Sequence, residues 1–185
     1  MVDRLPNEPA DPLAGPPPLG SSAEGPPPLS EDIVEFVASG VDVLVATRDE
    51  NLMPESMMAI GARAHPDLRT FTAYLPEALA DATVRNLLRN GDIAITVVRP
   101  IDHKALQVKG KFITLRRSTE ADRQVQALGR AGLVEQFAHI GIPRPVTRRL
   151  VWWPSLAIEM KVEHVYLQTP GPGAGEPFSH GAQTL

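Results

Sequence analysis

"PEALADATVRNLLRNGDIAITVVR", residues 76–99, holds the transition on which the fold turns. Its first part predicts a helix over 76–91. Pro76 suits a first turn, Leu79, Val84, Leu87 and Leu88 share a face, and Asn90-Gly91 is a C-cap pair. The apolar run 92–99 follows at once and predicts a buried strand ended by Pro100. Downstream, "HKALQVKGKFITLR" (103–116) alternates, with Ala105, Gln107 and Lys109 on one side and Leu106 and Val108 on the other. A helical region then opens at Ser118 or Thr119 and runs to about His139, with breaks expected at Gly129 and Gly132. "SLAIEMKVEHVYLQT" (155–169) sets Leu156, Ile158, Met160 and Val162 against Ala157, Glu159, Lys161 and Glu163, as a half-buried strand does.

Upstream, Ser30 can cap a short helix whose face is Ile33, Val34, Phe36 and Val37, with Gly40 as its stop. "VDVLVATR" (41–48) reads as a strand and "DEN" as a turn. "MPESMMAIGARA" (53–64) reads as the returning arm and "TFTAYL" (70–75) as a third strand. Six antiparallel strands with isolated helices predict a mainly β fold, a small β-barrel with flanking helices.

The termini differ from this core. Residues 1–29 hold nine of the 19 prolines, including two Pro-Pro-Pro runs, and are expected to be an extended, Pro-rich tail. They have no basic start and no continuous apolar run, unlike a secretory signal. Residues 170–185 form a second, Gly/Pro-rich tail. The domain between them, 30–169, is about 140 residues, enough to bury roughly two-thirds of the surface of its unfolded chain.

The chain has no cysteine, so disulfides, thiolate metal sites and Cys nucleophiles are excluded, and a cytoplasmic setting is expected. A net charge of −4 without clustering gives no footprint for nucleic acid. The basic knot Arg144, Arg148 and Arg149 reads as a solvated face. No apolar run approaches the roughly 18 residues of a membrane span.

"QTPGPGAGEPF" (168–178) mimics a nucleotide-binding glycine loop. A dinucleotide site needs a helix after the glycines, with its N-terminus toward the phosphates. Here Pro170 and Pro172 interrupt the glycines and no helix pattern follows. A structural cap, or a tail that crosses to another subunit, is expected instead. The five histidines lie far apart without an i, i+4 pair, so no metal site is expected. Met57 and Met58 can line a flat cofactor or fill a core. Trp152 and Trp153 must point opposite ways in an extended segment. Gln107, mid-strand, can pair with the edge of a heterocycle or sit on an exposed sheet face.

The order and spacing of "VLVATRDENLMPESMMAIG", "TFTAYL", "NLLRNGDIAITVV" and "HKALQVKGKFITL" resemble the pyridoxamine 5'-phosphate oxidase-like family over residues 30–169. The helix end at Asn86-Leu87 and Asn90-Gly91 and the "VKGK" of 108–111 are the best markers. The "QTPGPGAG" ending is similar to that of one subgroup of unassigned activity. The resemblance implies a six-stranded antiparallel split barrel, a homodimer, and FMN at the subunit interface. It implies that Ser56, Met57, Met58 and Ala59 pass the isoalloxazine edge, and that Thr72, Ala73 and Thr83 lie near the ribityl phosphate. Gln107 lies two residues along from the family's flavin-contacting glutamine, at whose position Ala105 stands.

The family's phosphate-binding Arg and Lys positions correspond here to Met57, Ala62, Ala82 and Thr83, none of them charged. Arg63 and Arg85 are the displaced candidates to meet the phosphate. The resemblance thus implies an FMN-binding oxidoreductase acting on a small molecule, with the redox chemistry in the flavin and no side chain named as catalytic. The alternative is a non-enzymatic barrel without FMN that binds another flat ligand, such as haem, or a protein partner. His65 and His103 are then the candidate axial ligands.

Overall fold

The computed structural model describes residues 26–149 and 153–178. Most of the expected Pro-rich tail, Trp152 and the last seven residues lie outside the described residues. Helix α1 (Glu31–Ala38) is followed by strands β1 (Asp42–Arg48), β2 (Pro54–Ala59), β3 (Ala62–Ala64) and β4 (Thr70–Pro76). A 3-10 turn (Glu77–Leu79) leads to α2 (Asp81–Asn90), β5 (Asp92–Arg99) and β6 (Lys104–Arg117). Helices α3 (Glu120–His139) and α4 (Arg144–Thr147) precede β7 (Ser155–Leu167).

All pairings are antiparallel, in the order β2-β1-β5-β6-β7-β4-β3. The two edge strands are consecutive in the chain, so the sheet curls on itself into a split barrel with flanking helices. Seven strands replace the expected six because the arm 53–64 is interrupted at Ile60-Gly61. There the chain passes its hydrogen bonds from β1 to β4: Ile60 N donates to Tyr74 O at 2.8 Å and Tyr74 N to Gly61 O at 3.0 Å. Gly61 makes the corner at φ +154°, a conformation that side chains resist.

The barrel interior is filled by the inward half of each alternation: Val43 and Val45, Ile93, Ile95 and Val97, Leu106 and Val108, Ile158 and Met160. Fully burying one such side chain is worth roughly 1.5–3 kcal/mol. Ile33, Phe36 and Val37 of α1 join the same core, with Leu29 buried just before the Ser30 cap.

The expected helix from Pro76 begins later. Pro76 still pairs with Ser155 at the end of β4, so α2 starts only at Asp81 and Leu79 stays in the turn, exposed. Leu87 is buried and Val84 half-buried, whereas Leu88, about 100° further round, faces outward. Gly91 caps the helix in the left-handed region at φ +71°, as its place predicts.

Neither Gly129 nor Gly132 breaks α3. Thr119 and Asp122 form a capping box at its start, and it runs 20 residues. A Cβ on Gly132 would stand 2.5 Å from Ser39 O, and one on Gly40 would stand 2.4 Å from Leu133 N. The two glycines let the end of α1 touch α3, and Gln136 Nε2 seals the contact by donating to Gly40 O at 2.8 Å. The glycine of "VKGK" has a similar cause. A Cβ on Gly110 would lie 1.9 Å from Lys161 O, beside a register shift between β6 and β7.

The glycine loop turns back on β7. Leu167 N donates to Glu176 O at 2.9 Å and Phe178 N to Val165 O at 2.8 Å, and Phe178 packs against the core. This segment pairs with β7 beyond Lys161, where the β4 ladder has ended. Among the described residues no helix is long and apolar enough to cross a membrane.

Candidate functional site

The outward half of the alternation on β2, β1, β5, β6 and β7 forms one continuous sheet face. Across it, Met58 stands beside Leu44, Leu44 beside Thr96, Thr96 beside Gln107, and Gln107 beside Tyr166. A second row runs Ser56, Ala46, Ala94, Lys109, His164. Gln107 Nε2 donates to Thr96 Oγ1 at 3.0 Å. The Lys109 ammonium lies 4.8 Å from the centre of the Tyr166 ring, and the rings of His164 and Tyr166 are 6.2 Å apart. Met58 is 47% exposed and Leu44 38%. A sheet face with apolar side chains at one end and polar groups at the other is the kind of surface that a flat ligand or a second subunit covers.

On the inner side of β2 the alternation places Glu55 and Met57 toward α2. Thr83, fully buried, donates from Oγ1 to Glu55 Oε2 at 2.8 Å and lies 3.2 Å from Met57 Sδ. Thr47 Oγ1 donates to the same carboxylate oxygen at 3.1 Å, and Asn86 Nδ2 donates to Thr47 Oγ1 at 3.1 Å. Buried polar groups need such partners, and here a closed network supplies them.

The nine residues expected at a cofactor site therefore fall in four places. Ser56, Met58 and Gln107 share the outer face. Met57 and Thr83 meet in the Glu55 network, with Ala59 buried one pleat further along β2. Ala73 is buried inside the barrel on β4.

Thr72 points the other way, toward a polar cluster beneath α3, where its Oγ1 is 2.8 Å from His65 Nε2. Arg63 pairs with Thr72 in register. It lines a cavity between α1, β3 and α3 with Val34, Val37 and Leu128, away from Thr83. Arg85 is exposed two residues beyond Thr83, about 200° round the helix.

Burial, and then the charge of Arg63, lower the pKa of His65 below its ordinary value, favouring the neutral imidazole. In the same cluster Tyr74 OH donates to Asp122 Oδ1 at 3.2 Å, and Arg116 bonds both oxygens of Asp122 at 2.5 and 3.1 Å. The Arg116 guanidinium and the backbone N–H of Thr119 hold the Asp122 carboxyl far below the usual carboxylate range. Burial, reinforced by the Asp122 charge, pushes the Tyr74 phenol well above its ordinary value.

Two histidines change places relative to expectation. His65 is committed to Thr72, and His103 sits exposed in a turn at φ +57°, so neither stands on the outer face. His164 does, and only the β6–β7 register shift, invisible in the local alternation, puts it beside Lys109. Among the described residues no three His, Asp or Glu side chains converge as a metal site would require.

FMN would bring a flat ring and a phosphate of nearly two negative charges. The outer face suits a ring, but the Met57–Thr83 positions do not suit the phosphate. The Glu55 carboxylate stands between them, and two like unit charges 4 Å apart repel by about 4 kcal/mol at an effective dielectric of 20.

No protein-family model and no curated protein matches the chain. Solved structures with related shape include a Clostridium acetobutylicum protein related to general stress protein 26 of B. subtilis, of the pyridoxinephosphate oxidase family. It is 20% identical over 79% of this chain and 90% of its own, with a TM-score of 0.45. HutZ, the haem storage protein of Vibrio cholerae, is 18% identical over 75% of this chain and 94% of its own, at 0.44. HupZ of Group A Streptococcus is 17% identical over 80% and 99%, at 0.47. At these values neither a cofactor nor an activity follows for this chain.

Proposed function

We propose that this chain is a split-barrel protein of the pyridoxamine 5'-phosphate oxidase-like kind that holds a flat conjugated ligand against its outer sheet face, between two copies of itself. The supporting observation is the row Met58, Leu44, Thr96, Gln107, Tyr166: apolar at one end, with an amide in the middle and a phenol at the other end. A flavin is the first candidate. When bound it would supply redox chemistry, making the protein a cytoplasmic flavin-dependent oxidoreductase with a small-molecule substrate. Its ring would lie across Met58 and Leu44, within reach of the Gln107 amide. Its phosphate would not be held at the start of α2, where Glu55 already takes the hydroxyls.

A second reading is favoured by His164. An imidazole, a lysine and a tyrosine on one sheet face are the groups that would ligate the iron of haem and meet its carboxylates. Absorption spectra of the full chain, as purified and after adding FMN, riboflavin or haemin and removing the excess, separate the readings. A retained flavin double band supports the first, and a Soret band lost in His164→Ala supports the second. Uptake of none of the three overturns the flat-ligand reading.

A further inference from the structure

At the edge of the outer face, the end of the sheet and α3 border a partly open cavity of about 70 Å³. Met58, Leu133 and Phe137 give it apolar walls, and two charged residues of opposite sign, Asp42 and Arg130, also line it.

Asp42 opens β1 and is half-buried. Its Oδ1 accepts from its neighbour's backbone, Val43 N, at 3.1 Å, and the carboxylate has no ion pair among the described residues. Burial raises its pKa, and no cation offsets that rise. Arg130, on the α3 side, has neither an ion pair nor a hydrogen bond among the described residues. Uncompensated charges beside apolar walls are costly, and a ligand that supplies the opposite charge recovers that cost. An amine alone would leave Arg130 unmatched, and an acid alone would leave Asp42 unmatched.

We propose that this cavity binds a small apolar amino acid or a molecule of that class, with its ammonium on Asp42, its acid group toward Arg130, and its aliphatic body against Met58, Leu133 and Phe137. The site adjoins the face proposed to hold a ring: Asp42 stands two residues from Leu44 on the outward side of β1, and Met58 borders both.

NMR titration of the full chain with L-leucine, 3-methylbutylamine and 4-methylpentanoate tests this. Leucine is expected to bind at least tenfold more tightly than either single-ended probe. Asp42→Asn should reduce leucine to the level of 4-methylpentanoate, and Arg130→Gln should reduce it to the level of the amine. Asp42→Asn removes a half-buried charge without changing shape, so its melting temperature should equal or exceed that of the parent. Equal binding of the three probes, no saturable binding of leucine, or unchanged leucine affinity in folded Asp42→Asn would each overturn the proposal.

Discussion

Thr83 donates its hydroxyl to Glu55 across the 2.8 Å between α2 and β2, where the family resemblance would have a phosphate. A carboxylate of the chain thus stands where the resemblance implies the ligand's anion. Riboflavin, with the ring but no phosphate, should bind at least as tightly as FMN. Glu55→Gln keeps the hydrogen bonds and removes the charge, and should raise FMN affinity about tenfold with little change for riboflavin. Flavin fluorescence titrations check both; tighter FMN binding by the parent chain, unchanged in Glu55→Gln, would refute the idea.

Asp122 ties the start of α3 to Arg116 and Tyr74. Its loss in Asp122→Ala removes a cap worth about 1 kcal/mol and a charge-assisted bond worth about 1.5–3 kcal/mol. Partial exposure of Arg116 lowers the second figure, so a loss of about 2–3 kcal/mol is expected in urea unfolding. Because the folded pKa of Asp122 lies below its unfolded value, this contribution is full above pH 4 or so and fades as the pH falls further. Asp122→Asn should flatten the acid limb of the stability curve.

His65 acts at higher pH. Its folded pKa is depressed below 6.5, so the folded state resists a proton that the unfolded state accepts. Its contribution is complete above pH 6.5 and declines as the pH falls toward the folded pKa. His65→Gln should remove this slope below about pH 6.5, measured by denaturant midpoints, while leaving the steeper loss below pH 4.

Two glycines separate conformational strain from lack of space. Around Gly91 nothing lies within 4 Å of an added Cβ, so Gly91→Ala costs only the left-handed backbone, about 1–2 kcal/mol. At Gly110 the Cβ would strike a backbone carbonyl, so Gly110→Ala should cost more, about 3 kcal/mol, or prevent folding. Thermal unfolding of the pair gives the order; a milder Gly110→Ala would mean that the β6–β7 bulge can relax.

Phe178 changes what truncation of the tail should do. From the sequence, deletion of residues 170–185 is expected to weaken ligand retention or dimerisation more than folding. With Phe178 against the core and its backbone bonded to Val165, folding should suffer as well. Phe178→Ala, at a half-buried site, should cost about 1–2 kcal/mol by urea unfolding. A midpoint equal to that of the parent would show that the hairpin contributes nothing to the fold.

Strand alternation, the Ser30 and Gly91 caps and the barrel class were legible in residue order, because burial period and cap chemistry act over a few residues. The break at Ile60-Gly61 was not legible, since it arises from Tyr74 of β4 bonding the backbone of Ile60 and Gly61. Gly129 and Gly132 looked like breaks because helix propensity is local, while the reason for Gly132 is the close approach of Ser39 and Gly40, more than 90 residues earlier in the chain. The site divides in the same way. Residue types at Met58 and Gln107 suggested a flat ligand, and a period of two puts alternate residues on one face. Only the tertiary structure set Glu55 against Thr83, brought His164 beside Lys109 across a bulge, and left Asp42 and Arg130 around one cavity without an ion pair among the described residues. These depend on strand register and helix docking, which are settled by contacts distant in sequence and carry no local periodic signal.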